Sequence, residues 1–223
     1  MAVRVQKKKK TNITKSPRAE LKRRQILDAA ADVIARRGYA NTMLSEIAAQ
    51  IRTQAGSIYY HFESREHLFD EVLRQGVEDA HAYTRQMVAK LPKTASALDR
   101  LETAIRAHLE LQMTGINNYS RATHRIFGEI PDDMRQRVRT QQNAYGRYLQ
   151  GLIDAAMDAG DIEKVDRSVF LLLLLGAVNW VPQWFNPKGR LSARDICDLA
   201  VRMVFEGLAT PKGKSYRSRA LKT

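Results

Sequence analysis

The chain has 223 residues, 44% apolar and 27% charged, with 37 Lys and Arg against 24 Asp and Glu for a formal charge of +13. That is the composition of a globular chain of one large or two small domains, and it excludes a disordered, collagen-like or disulfide-stapled one. Cys197 is the single cysteine, which excludes an internal disulfide, a Cys-rich zinc site and a redox pair, and fits a reducing compartment.

The longest apolar run, Val169 to Val178, holds ten residues and is interrupted by Gly176. A membrane-spanning helix needs about 20, so a buried helix is expected. No apolar stretch of signal-peptide length follows the basic run Lys7–Lys10. A soluble, cytoplasmic protein is expected. The positive charge sits at the ends. Residues 1–24 carry ten Lys and Arg against Glu20, residues 212–223 carry five with no acid, and the stretch between is close to neutral. Such segments attract polyanions. The N-terminal arm, 1–18, is expected to be disordered and to touch phosphate. For the C-terminal tail, 211–223, solubility and phosphate contact weigh equally.

In chain order, Ile26, Ala29, Ala30, Val33 and Ile34 recur at the three-and-four spacing of a helix over 19–37. Gly38 ends it as a C-cap glycine does. A short helix over 45–50 and a third over about 54–61 follow, joined by a turn at Arg52 and Thr53. Ser64, with Glu66 behind it, caps a long helix striped by Leu68, Phe69, Val72, Leu73, Val77 and Ala80, which Pro92 stops. Further helices are expected over 95–115, 118–128, 131–159, 166–184 and 192–209. Asp166 and Ser192 stand as N-caps of the last two. The class is all-α: a helix-turn-helix unit over 19–64, then a ligand-binding and dimerisation domain over 65–210.

In a helix-turn-helix the second helix enters the major groove. Gln54, Ala55 and Ser57 then face base edges: Gln suits adenine, Ser several bases and an Ala methyl thymine. Gly56 lets backbone approach closely. Tyr59, Tyr60 and His61 can donate to phosphate oxygens, with Thr42, Arg52, Thr53 and Arg65 flanking them. A plain helical hairpin with Tyr59 partly in the core is the competing reading. No second His or Cys stands beside His61 at ligand spacing, so no metal site is expected.

The stretches Ile26-Leu27-Asp28-Ala29-Ala30, Gly38-Tyr39-Ala40-Asn41-Thr42, Glu46-Ile47-Ala48, Ala55-Gly56-Ser57-Ile58-Tyr59-Tyr60-His61-Phe62 and Ser64-Arg65-Glu66-His67-Leu68 resemble, in register, the DNA-binding domain of the TetR family of bacterial transcriptional regulators. The resemblance covers about fifty residues. It implies an all-α repressor, a homodimer and a C-terminal domain that answers to a small molecule. The family usually has Gly where Arg52 stands, so the turn is reshaped or Arg52 adds a phosphate contact. Gln54 and Met43 stand where the family often has small hydroxyl residues.

Two further groups stand out. The run Val169–Leu175 is apolar on every side, and Ile196, Leu199, Ala200, Val201, Met203, Val204 and Leu208 cover more than one face of the last helix. A helix apolar all round must be buried all round. Pairing with the same helices of a second copy achieves that, through Phe170, Leu174, Ile196, Ala200, Met203 and Val204; a deep core in one subunit is the alternative. The resemblance also implies dimerisation through the last two long helices. Trp180 and Trp184, with Phe127, Met134, Tyr145, Tyr148 and Leu152, are candidates for an apolar effector pocket, or else plain core. The segment Asn179–Ser192 resembles that of TetR regulators responding to acyl-CoA thioesters in lipid or steroid catabolism. Arg121, Arg125 and Arg147 are then candidates to meet an acidic ligand.

No nucleophile-elbow, zinc-protease, dinucleotide or phosphate-loop pattern is present, so an enzyme is not expected, nor a cofactor. The reading is a DNA-binding regulator that takes a near-palindromic operator as a homodimer. A non-specific, nucleoid-type DNA binder is the alternative.

Overall fold

The computed structural model describes residues 16–113 and 117–206. Helix α1 (Pro17–Asn41) starts where the Ser16 hydroxyl accepts from the Ala19 amide and Pro17 fills the first position. It therefore begins inside the range expected to be a disordered arm; residues 1–15 of that arm lie outside the described residues. Near its end the chain kinks at Gly38, whose φ of +79° suits a glycine. The Thr42 hydroxyl donates to the Gly38 carbonyl at 2.7 Å.

Helices α2 (Leu44–Gln50) and α3 (Ala55–Tyr59) follow, joined by a tight turn. The Arg52 amide donates to the Ala49 carbonyl at 3.1 Å and the Thr53 amide to the Ala48 carbonyl at 2.9 Å. Those paired bonds form a Schellman end, which demands a left-handed residue at Arg52. Its φ is +52°, the one positive φ outside glycine among the described residues.

Helix α4 (Arg65–Ala89) opens on Ser64, whose hydroxyl accepts from the His67 amide at 2.9 Å. Helices α5 (Ala97–Met113), α6 (Asn117–Ile126), α7 (Asp132–Asp158), α8 (Arg167–Asn179), α9 (Val181–Trp184) and α10 (Ala193–Phe205) complete the order. Asp166 and Ser192 cap α8 and α10 as expected, the latter in a reciprocal capping box with Asp195. The single helix expected over 166–184 is broken at Trp180. Pro182 has no amide to reach the Val178 carbonyl, which accepts the Trp180 amide instead.

Two apolar cores form. The first joins Ile26, Val33, Ile47 and Ile58 of the head to Leu68, Phe69, Val72 and Leu73 of α4, and to Tyr119, Ala122 and Ile126 of α6. A boundary at residue 64 would cut through it. The second lies among α4, α5, α7, α8 and α10, around Leu101, Leu109, Leu149, Ile153, Leu171 and Cys197. Among the described residues no helix is long and apolar enough to cross a membrane. No group of three or more His, Cys, Asp and Glu there could hold a metal ion.

Candidate functional site

Ile58 fixes α3 to the head, being 1% exposed. The rest of that short helix faces outward. Gln54, Gly56, Ser57, Tyr59 and Tyr60 are exposed, Ala55 and His61 half-buried. Tyr60 is 85% exposed and stands edge-on to His61, ring centroids 5.3 Å apart. Tyr59 is exposed rather than part of the core. A Cβ at Gly56 would meet nothing within 4 Å, so nothing inside the protein calls for glycine there.

Two flanking residues have other work. Thr42 is buried and spends its hydroxyl on Gly38. Arg65 donates to the Thr42 carbonyl at 3.2 Å and to the Tyr39 carbonyl, and its guanidinium lies over the rings of Tyr39 and Phe69. Both lock the α1–α2 corner from inside. Arg52 is exposed and Thr53 half-buried.

The second feature is a cavity of about 750 Å³ between α4, α5, α6, α7 and α8. Of the expected pocket residues, Tyr145 and Trp180 line it, and so does Arg147. Phe127 and Met134 belong to the head-side core. Tyr148 and Leu152 pack against the second core. Trp184, beyond the break at Trp180, is exposed and is not among the residues that line the cavity. Arg121 is exposed, and Arg125 pairs with Glu129 at 2.7 Å. Those seven positions shared apolar character with the wall, but helix registry sends five of them elsewhere.

Sequence reasoning missed the polar floor. His108, Gln112 and Asn179 line the cavity with Tyr145. The Asn179 carbonyl oxygen lies 2.8 Å from His108 Nε2 and can only accept, so Nε2 carries the proton. His108 Nδ1 then accepts from the Tyr145 hydroxyl at 2.9 Å, and that hydroxyl accepts from Thr84 at 2.8 Å. Burial pushes the Tyr145 phenol up, with Thr84 pulling the other way. The signal in the sequence was faint: two polar residues one turn apart on the apolar face of α5.

Cavity and head share a wall. Tyr119 of α6 lines the cavity and donates to Asp28 of α1 at 2.7 Å. Burial, then Asp28, raise its phenol well above the ordinary range, so it stays a donor. A Cβ at Gly76 of α4 would sit 3.0 Å from the Tyr119 Cβ, so any side chain there would force α4 and α6 to give way slightly at this crossing. Arg24 reaches from α1 to Asp79 of α4 at 2.9 Å, and Arg23 to Glu71 at 2.8 Å.

The third feature is exposed apolar surface on α8 and on α10. Leu172 and Leu173 are each 71% exposed and Val169 is exposed on α8, and Leu199 and Met203 are exposed on α10. Of the expected dimer residues, Met203 is among these. Leu174 and Ile196 are buried within the protomer, and Phe170, Ala200 and Val204 are half-buried against its core. The all-round apolar character of α8 thus serves two partners, the inner side packing on α5 and α7.

Residues 26–72 match the model of the bacterial regulatory proteins of the tetR family, and residues 94–208 that of the tetracyclin repressor-like C-terminal domain. The second match alone spans over half the chain. The chain belongs to the TetR family. TetR proteins regulate transcription through DNA, and the chain is a DNA-binding transcriptional regulator rather than an enzyme. It is 27% identical over 199 residues to the HTH-type transcriptional repressor KstR2 of Rhodococcus jostii, covering 85% of this chain and 92% of that one. It is 26% identical over 156 residues to the fatty acid metabolism regulator protein of Bacillus subtilis, covering 70% and 78%. A solved structure of AibR with isovaleryl coenzyme A and operator DNA superposes with a TM-score of 0.73 at 28% identity, over 82% of this chain and 97% of that one.

Proposed function

We propose that the protein is a homodimeric repressor, acting in the cytoplasm, that binds a near-palindromic operator and is controlled by an acyl-CoA thioester in its cavity. The observation that carries this reading is Tyr119, which is at once a wall of the cavity and a hydrogen-bond donor to α1 of the head. Anything that displaces α6 on entering the cavity therefore displaces the DNA-binding unit. Helix α4 runs the same way, its Gly76, Val77 and Ala80 on the cavity and its first turns in the head's core. A ligand shifts such an equilibrium only by its differential affinity for the two arrangements.

The ligand class draws support from the AibR complex with isovaleryl coenzyme A, and from relatives named for fatty acid metabolism and as KstR2. The DNA reading draws on Gln54, Ala55, Gly56 and Ser57, with Tyr59, Tyr60 and His61 to the phosphates and Arg52 and Thr53 beside them. The dimer reading draws on the bare leucines of α8: two heads about 34 Å apart read half-sites on successive major grooves.

The test is selection from random DNA by the full chain, followed by competition with a panel of acyl-CoA thioesters. The expected result is one near-palindromic site, bound far more tightly than random sequence, whose affinity changes with one or more thioesters. Equal binding to all DNA would favour the nucleoid-type alternative. An operator indifferent to every thioester would remove the ligand class.

A further inference from the structure

We propose that the cavity selects an acyl thioester bearing a hydrogen-bond donor on its acyl portion, a hydroxyl, received by the side-chain oxygen of Gln112. The inference rests on the thioester reading above and specifies which thioesters fit.

The argument starts on α5. Its buried face is apolar at Leu101, Ile105 and Leu109 and then turns polar at His108 and Gln112, one turn apart. The shortest contact among these groups, His108 to Asn179, sets the direction; the Gln112 amino group also lies 3.2 Å from the protonated His108 Nε2, a nitrogen that cannot accept from it, and so donates to Asn179 instead. Asn179 Oδ1 accepts from His108 Nε2 at 2.8 Å and from Gln112 Nε2 at 3.2 Å. Both amino-side donors converge on one oxygen, which turns the other end of the Gln112 amide away from the network. That end, Oε1, is fully buried with no hydrogen-bond partner among the described residues. Gln112 is 5% exposed and lines the cavity. A buried acceptor left unmatched is costly, so native structures match it. The partner it requires is a donor delivered through the cavity.

Depth says which part of the ligand delivers it. Asn143, Arg147 and Trp180 are exposed on the cavity's rim, whereas His108, Gln112 and Tyr145 are buried at its floor. The charged coenzyme belongs at the rim, beside Arg147, where water still solvates it. The acyl portion reaches the floor. A plain alkyl chain would leave Gln112 Oε1 as unmatched as it stands; a hydroxyl would pair with it. The amide groups of the pantetheine arm are the other donors in such a ligand, and the test separates the two.

The full-length protein is titrated calorimetrically with octanoyl-CoA, its 3-hydroxy and 8-hydroxy forms, and 3-oxooctanoyl-CoA, whose added group only accepts. The expected result is that a hydroxylated form binds about tenfold or more tightly than octanoyl-CoA. The 3-oxo form is expected to gain nothing. Gln112→Leu should erase the preference, so that octanoyl-CoA and its hydroxylated forms bind alike; Gln112→Asn, which keeps an amide but draws it back by one methylene, should do the same if the leucine variant does not fold. Equal binding of all four by the native protein would overturn the inference and leave the thioester reading standing. So would a 3-oxo form as good as the hydroxylated ones, which would make the cavity-facing group of Gln112 a donor. An equal loss for octanoyl-CoA and its hydroxylated forms in the variants would assign Gln112 to the pantetheine arm and overturn the acyl assignment. No binding of any thioester would overturn both readings.

Discussion

Arg52 shows how much one residue can hold of a reading. The sequence has an arginine where a left-handed turn residue is wanted, and the structure keeps the turn rather than reshaping it: φ is +52° and both Schellman bonds are made. An L-residue in that region costs about 1–2 kcal/mol, while glycine loses about 0.5–1 kcal/mol through its freer unfolded chain. Arg52→Gly is therefore expected to stabilise the protein by about 0.5–1 kcal/mol in denaturant unfolding. If Arg52 also meets phosphate, the same variant should bind DNA more weakly and with a shallower salt dependence. Tyr60 gives the opposite case. Nearly all of its surface is free, so Tyr60→Ala should leave the melting temperature unchanged and weaken operator binding in a gel shift; unaltered binding would take α3 out of the interface. The outward side of α3 was legible because Ile58 is the lone large apolar residue between polar and aromatic neighbours. Thr42 and Arg65 were not legible, since their hydroxyl and guanidinium turn inward to carbonyls that only the folded corner brings near.

At the scale of elements, caps and breakers marked the helix ends well. Ser64, Asp166 and Ser192 act where their sequence context places them. Periodicity could not say which helices face which, and so it spread the pocket over Phe127, Met134, Tyr148, Leu152 and Trp184, whose apolar sides meet other neighbours. The α4–α6 crossing is where that missing information matters most. A methyl group at Gly76 would press on the Tyr119 Cβ, so Gly76→Ala is expected to fold and still bind ligand but to uncouple it from DNA affinity. Measuring operator binding with and without thioester checks this. The tie between α1 and α4 has its own signature. Burial alone would raise the Glu71 carboxyl, but hydrogen bonds from Arg74 and Arg23 outweigh that and hold it below its ordinary value of 4.5. A depressed carboxyl contributes stability that is complete above 4.5 and drains as pH falls through its folded value. Glu71→Gln should lower stability at neutral pH and flatten the decline below 4.5, read by denaturant unfolding at several pH values.

For the molecule as a whole, the dimer turns on apolar surface that the protomer leaves uncovered. Exposed leucines singly are ordinary, but Val169, Leu172 and Leu173 all stand bare on α8, and Leu199 and Met203 on α10, apolar exposure of the kind that marks an association surface. Leu173→Glu places a charge on that surface of α8 without disturbing the protomer's interior. It is expected to sediment as a monomer and to lose operator affinity by about tenfold or more, since each head then pairs with its half-site alone. A dimer that survives would move the interface elsewhere. The apolar run over 169–175 announced that some partner was needed. It could not apportion its residues between the protomer's own core and a second copy, because a sequence apolar on every side carries no phase.

The break at Trp180 leaves the two tryptophans in different surroundings, Trp180 on the cavity's rim and Trp184 outside its lining. The chain thus carries an intrinsic optical probe. With Trp184 replaced by Phe, the emission of the remaining indole reports filling of the chamber directly, without label or operator, and its colour shift on titration distinguishes a greasy occupant from a polar one.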